Sequence, residues 1–334
     1  MRNSTARFRN NTEASLFFCF AFVCAKVGLM RLDQFIQKNY PEHSRAFWQK
    51  MIASHAVLVN GHPQKAHQEI KISDKLEIFW PNEKPVEKTL PDCPLEIIYE
   101  DLDLLVINKP AHLVVHPAHG HLTGTLIEQV AAHCGFVPEE FGDNIRPGLI
   151  HRLDQDTSGA LVIAKNTLSQ NHLARNLAER KFHKKYLALV VGRPKPLEGL
   201  IDAPLGRAHN DRRKVVISMD EGSKPAQTKY KVLESAPFEG TLISLVEIEL
   251  LTGRTHQIRA HFVGIQHPVL GDTKYGNTHL NELAKEKLGL DRQALHAWKL
   301  GFPHPENDKM LNLVAPLPED LKEAIKKLGM EFRA

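Results

Sequence analysis

Cysteine is scarce in this chain. There are four in 334 residues, Cys19, Cys24, Cys93 and Cys134, and no Cys-x-x-Cys pair. That excludes a disulfide framework and a cysteine-based zinc site, and it suits a reducing compartment. Aromatic residues make up 7%, with three Trp, a thin supply for the stacking platforms of a polysaccharide-cleaving site. The apolar run Ser15 to Ala25 falls well short of the ~20 residues that a membrane-spanning helix needs, and no other segment comes nearer. No internal repeat is found. Nor is there a large excess of charge of one sign: 43 Lys and Arg face 39 Asp and Glu, a net +4. That balance permits a nucleic-acid partner without pointing to one. A cytoplasmic protein with no membrane partner is the expectation.

What is present is an ordinary globular composition, 42% hydrophobic and 25% charged, long enough for two or three domains. Charge is uneven along it. Residues 151–186 and 207–231 each hold seven Lys or Arg against three Asp or Glu, the clustering that a phosphate backbone calls for and that a solvated basic face also shows. Residues 1–29 have a basic start and then the short apolar run, and read as a disordered or dispensable extension ahead of Met30. Residues 30–80 form a first unit. Leu32, Phe35 and Ile36, then Phe47, Met51 and Ile52, recur at helical spacing. Alternating strands follow around Asn60-Gly61, a strong hairpin signal. Residues 81–94, with four prolines and several charges, read as a linker. Residues 95–328 mix short β runs with helical stretches near 122–134, 167–180 and 254–262, without regular βαβ alternation. That pattern predicts an α+β domain with a mixed or antiparallel sheet. Residues 276–292 read as a surface insertion carrying a helix.

Three segments carry chemistry. "HRLDQDTSGALVIAKN" (151–166) places His151, Arg152, Asp154 and Asp156 just ahead of a small-residue turn and an apolar strand. Asp154 on that loop is either a turn residue capping its own backbone or a carboxylate held beside an apolar wall. With Asp156 it also suggests a glycosidase pair. "LLTGRTHQIRAHF" (250–262) ends a strand at Gly253 and gathers Arg254, Thr255, His256, Gln257 and Arg259. An arginine at a helix start opposes the helix dipole, so Arg254 needs another reason to be there. A bidentate pair with a buried Asp supplies one. "KFHKKYLALVVG" sets Tyr186 at a strand start, either as a core aromatic or as a site residue.

In this order and spacing, "HRLDxxTSG", "KxYxAxVxG" and "GRTHQIRAH" resemble the RluA-type family of RNA pseudouridine synthases. "VINKPAHLVVHP", "HPVLGDTKYG" and "ALHAWKLGFPHP" extend the match to about residues 31–328. The first unit, with "SR…VLVNG" and Lys38, Arg45, Lys50, Lys65 and Lys71, resembles the S4 RNA-binding domain, and the whole is most similar to the large-subunit synthase D subgroup. The resemblance implies isomerisation of uridine to pseudouridine, with no metal and no cofactor, on large-subunit ribosomal RNA or on another RNA such as tRNA. A monomer that acts on ribosomal RNA, including the assembling large subunit, is expected.

Residue by residue, the resemblance implies that Asp154 is the essential carboxylate, whether it attacks sugar or base or removes a proton. Arg254 would hold it charged. Tyr186 would stack on the target base and take its C5 proton, and Arg152 would fill the vacancy left by the flipped nucleotide. His151, His256, Gln257 and Arg259, with Arg45 and Lys50 in the first unit, would contact RNA. His116, His119 and His121 stand where relatives usually show a Gly-rich stretch; the spacing could bind a metal, but RNA contact or a plain loop is the expectation. A non-catalytic S4-type RNA-binding protein and a glycoside hydrolase using Asp154 and Asp156 are the competing readings.

Overall fold

The computed structural model describes residues 18–19, 30–40, 45–71, 74–79, 94–116, 124–135, 148–211 and 213–332. The chain forms two compact units, Met1–Glu87 and Lys88–Ala334, with the division inside the proline-rich linker. His119 and His121 lie outside the described residues. Among the described residues, no helix is long and apolar enough to cross a membrane.

The first unit contains strands β1 (Phe18–Cys19) and β2 (Met30–Arg31), helices α1 (Leu32–Asn39) and α2 (Arg45–Ala53), then β3 (Val57–Val59), β4 (His62–Pro63), β5 (Glu69–Ile70) and β6 (Leu76–Ile78). Of the residues read at helical spacing, Leu32, Ile36, Met51 and Ile52 enter one core with Trp48, Val57 and Val59, and Phe35 and Phe47 pack against it partly buried. Asn60 and Gly61 both take positive φ, 53° and 78°, and close the β3–β4 hairpin, as their side chains allow. Part of the expected N-terminal extension is built in, because Phe18–Cys19 pairs antiparallel with β6. An edge strand offers unpaired N–H and C=O groups that a passing segment can take.

The second unit is built on one nine-stranded sheet. In chain order its elements are β7 (Ile97–Glu100), β8 (Leu104–Lys109), α3 (Leu126–Cys134), β9 (Ser158–Ala164), α4 (Thr167–Ala178), β10 (His183–Val191), β11 (Glu198–Asp202), β12 (Leu205–Arg207), β13 (Val215–Ile217), β14 (Gln227–Phe238), β15 (Thr241–Leu250), α5 (Gln257–Gly264), α6 (Thr278–Leu283), β16 (Leu295–Pro303), β17 (Met310–Val314) and α7 (Glu319–Lys327). The sheet order is β11-β14-β15-β10-β16-β9-β8-β7, with β17 on β16 and β12–β13 a separate hairpin. Every pairing is antiparallel except β16 with β9. The architecture is the α+β class with a mixed sheet.

The pleat sorts side chains between two cores. Tyr186, Ala188 and Val190 of β10 join Leu161, Ile163, Val246, Ile248 and Ala297 under α3 and α5. Leu187 and Leu189 face the other way, with Leu245 and Trp298, toward α7. Farther along that second face, Ala160, Val162 and Phe302 pack against Leu173 of α4. With both faces covered, β8 and β9 are buried at every position. Residues 276–292 are less superficial than expected. Ala284, Leu288 and Leu290 are buried in the α7-side core, because the apolar residues of this segment supply a wall that the sheet needs.

Candidate active site

Asp154 sits on the loop that leads into β9, and the loop is held from several sides. The Lys109 side chain, fully buried at the end of β8, donates from Nζ to the Gln155 carbonyl at 2.9 Å, to Leu113 at 3.0 Å and to Pro110 at 2.6 Å. Arg292 donates to the Asp156 carbonyl at 3.1 Å, and the Gln293 side chain donates to the Thr157 hydroxyl at 2.9 Å. Burial brings His296 down to about 4, so it is neutral. Its Nε2 faces the Ala315 carbonyl, which can only accept, so Nδ1 accepts from the Ser158 hydroxyl at 2.9 Å. Gly159 has φ +117°, and a Cβ there would collide with the backbone of Ala297 on β16. The Thr-Ser-Gly run therefore lets β9 approach β16 closely enough to pair in parallel, and the approach presents the loop.

The loop borders a cavity of about 780 Å³ whose walls include Arg152, Asp154, Lys184, Tyr186, His256 and Arg259. Tyr186 is buried in the wall, next to a bulge where β10 slips its register against β16. Bulges re-aim side chains. Burial, and then the charge of Asp154, raises the Tyr186 hydroxyl well above its usual value, so it stays a phenol. Burial also pushes the Lys184 ammonium down.

The expected partner of Asp154 is corrected by the structure. Arg259, not Arg254, donates to Asp154 Oδ2, at 2.9 Å. Its other edge is bidentate on the fully buried Asp272, at 2.6 and 2.9 Å. Burial works against the Arg259 charge, but Asp272 and then Asp154 outweigh it and hold the guanidinium protonated. Arg254 is exposed and donates from Nε to the Pro225 carbonyl at 3.1 Å. The reason lies in where the helix starts. His256 takes a left-handed backbone, φ 52°, and α5 begins at Gln257 rather than at 254. The Gln257 side chain closes the turn: its Oε1 accepts from the Arg254 amide and the Thr252 hydroxyl, and its Nε2 donates to the Gln227 carbonyl and Thr228.

Two expected RNA contacts are corrected with it. Gln257 is buried and bonded at both ends of its amide, so it holds the turn instead of RNA. Arg259 is spent on two carboxylates. A third changes character: His151 lines the cavity, but burial brings it to about 3 and its Nε2 accepts from the Val162 amide, so it brings no charge to a phosphate. His256 stays at the site. Burial lowers it to about 4, with Asp154 pulling the other way. The Tyr275 hydroxyl accepts from the Val215 amide at 2.8 Å and hydrogen-bonds His256 Nδ1 at 2.9 Å. The other ring nitrogen, Nε2, lies 3.9 Å from Asp154 Oδ2. Arg152 is exposed at the cavity edge. In the first unit, Lys50 is exposed in the last turn of α2, whereas Arg45 is tied to Asp33 at 2.9 Å. Asp156 turns away to His112 at 3.1 Å and does not line the cavity, which removes the glycosidase pair.

Lys109, Asp272 and Tyr275 were missed in the sequence because each works through a contact far along the chain. The signal available was their place in "VINKP" and "GDTKYG".

Residues 103–263 match the family described as RNA pseudouridylate synthase. An uncharacterized RNA pseudouridine synthase of Bacillus subtilis, YlyB, is 40% identical over 298 residues, covering 89% of this chain and 94% of that protein. The chain belongs to this family. Another RNA pseudouridine synthase, the ribosomal large subunit pseudouridine synthase D of Zymomonas mobilis, is 40% identical over 79% of this chain and 82% of its own length. Among solved structures, the human RNA pseudouridylate synthase domain containing 4 superposes with a TM-score of 0.56 at 30% identity, over 72% of this chain and 95% of that one. As an RNA pseudouridine synthase, the chain isomerises uridine within RNA.

Proposed function

We propose that this pseudouridine synthase acts on large-subunit ribosomal RNA, in the cytoplasm and as a monomer, with Asp154 as the reacting group. The observation that carries the site is the half-satisfied Asp154 carboxylate. Arg259 holds Oδ2, while Oδ1 bears no hydrogen bond among the described residues and the side chain remains 19% exposed at the cavity wall. The reaction is a net isomerisation. The C1′–N1 bond breaks, C1′–C5 forms, and a proton leaves C5 while N1 gains one. A stacked base hides both C1′ and C5, so the uridine must flip into the cavity. Asp154 acts at the ribosyl–uracil linkage. Tyr186 lines the base pocket and, as a phenol, accepts the C5 proton only by handing on its own. Arg152 at the rim fills the vacated stack. Synthase D relatives from Zymomonas, Neisseria and Nitrosomonas support the ribosomal target. The test is incubation of large-subunit ribosomal RNA transcript with the protein, mapping pseudouridine and assaying tritium release from C5-labelled RNA. Tyr186→Phe is expected to keep RNA binding and lose product formation. No pseudouridine in the transcript would refute the ribosomal target.

The first unit is read as an S4-type RNA-binding domain, supported by its paired helices, its hairpin at Asn60-Gly61 and its exposed Lys38, Lys50, Lys65 and Lys71. A chain shortened to begin at Lys88 should keep its active site and lose affinity and choice of uridine. An unchanged salt dependence of binding would remove the S4 reading.

A further inference from the structure

Beside the catalytic cavity lies a second cleft, about 300 Å³, whose lining includes Arg207, Lys224, Arg254, Leu205 and Val215. Its floor is apolar, since Leu205 and Val215 are buried together. Its rim is cationic: Arg207, Lys224 and Arg254 are exposed, and among the described residues no Asp or Glu lines it. A Cβ at Gly222 would meet nothing within 4 Å, and one at Gly253 only the Lys184 ammonium at 3.3 Å. The two cavities share one wall, Gly253, Arg254 and Thr255. Arg254 is available there because Arg259 has taken its expected place on Asp154, and its bond to Pro225 fixes the guanidinium at that wall.

We propose that this cleft is a phosphodiester subsite, holding a backbone phosphate of the RNA strand next to the nucleotide whose base enters the larger cavity. The proposal rests on the reading of the larger cavity as the uridine site. A flipped nucleotide leaves its backbone outside the pocket, so the adjoining phosphates must cross the pocket mouth. At the shared wall Arg254 meets that path, with Arg207 and Lys224 beyond it in the cleft. The cleft is also tied to the chemistry. Strand β13 packs Ile217 against Gly264 of α5, the helix that carries Arg259, and the Val215 amide bonds Tyr275, which orients His256. A phosphate seated in the cleft thus lies against the strand that braces α5 and Tyr275.

The first test is equilibrium binding of a large-subunit ribosomal RNA transcript to the full chain over a series of salt concentrations. Lys224→Ala and Arg207→Ala should each weaken binding several-fold and make the slope of log affinity against log salt shallower by about 0.7–0.9. Lys224→Arg should restore it. Lys326→Ala, which removes a charge on α7, should change little. Unchanged slopes, or an equal change with Lys326→Ala, would overturn the subsite. The second test uses a fragment whose uridine the wild-type chain modifies, with flanking phosphates replaced singly by neutral methylphosphonates. One position should cost wild type about tenfold in affinity and cost Lys224→Ala much less; additive losses at every position would overturn the proposal. Binding is read without turnover, so absence of pseudouridine refutes the functional reading alone. Normal turnover with unchanged slopes refutes the cleft alone.

Discussion

Asp33 and Asp154 are both carboxylates set among arginines, one in each compact unit, and they are held in opposite ways. Asp33 is fully buried and saturated. Arg31 bonds both its oxygens, at 3.2 and 3.1 Å, and Arg45 and Gln49 add bonds to Oδ2 of 3.0, 2.9 and 2.8 Å. Burial works to raise its pKa, yet the hydrogen bonds from Gln49, Arg45 and Arg31 bring it from 3.8 to about 2. Asp154 has one close donor, Arg259, which itself is anchored on Asp272, and one oxygen left over at a cavity. A saturated carboxylate braces a fold. A carboxylate held at one oxygen by a single pinned arginine, with the other oxygen to spare, is placed to react.

The sharpest way to break this contrast is to neutralise each acid in turn. Asp154→Asn is expected to abolish isomerisation while RNA binding stays within a few-fold, whereas Asp33→Asn should leave turnover at saturating RNA near wild type. Tritium release from C5-labelled RNA reads both, and near-normal release from Asp154→Asn would undo the assignment. Next in size is the exchange of arginines. Arg259→Lys keeps a charge but cannot bridge Asp154 and Asp272 with a planar fork, so kcat should fall on the order of 10²-fold from misplacement of the carboxylate. Arg254→Lys should leave kcat within a few-fold. Single-turnover rates would show the reverse order if Arg254 were the true partner.

Asp33→Asn should instead appear as instability of the first unit. Removing one partner of a fully buried pair costs about 3–5 kcal/mol. Arg31 and Arg45 are 42% and 41% exposed, so the loss here should be nearer ~2 kcal/mol in urea unfolding. Its pH dependence has a definite sign. A depressed folded pKa contributes stability that is present above the unfolded 3.8 and lost as pH falls toward about 2. In wild type the first unit should therefore weaken on acidification across that window, and Asp33→Asn should flatten the dependence. The smallest effect is spectroscopic. His256 and His151, brought by burial to about 4 and about 3, should show no titration between pH 6 and 8 in histidine NMR. A shift in that range at His256 would mean that burial does not hold the ring neutral.

Patterns of near neighbours were legible in the sequence. Asn60-Gly61 closes its hairpin, and Thr167–Ala178 is a helix where the spacing placed one. Asp154 and Tyr186 reach one cavity from segments more than 30 residues apart, as the family motifs implied. What the motif could not say is which of two arginines five residues apart meets Asp154. That depends on the residue at which α5 starts, and so on side chains that close a turn onto a neighbouring strand, Gln257 onto Gln227 and Thr228.

By itself, then, the order of residues determined local conformation and which side-chain types each motif carries, since turn chemistry, helical spacing and side-chain type are properties of the chain. Tertiary structure decided which charges are spent and which are left. Lys109 on Gln155, Arg259 on Asp272 and the second cleft beside Arg254 all join residues distant in sequence. The strength of a charge–charge contact depends on distance and burial, which exist only once the sheet has brought those residues together.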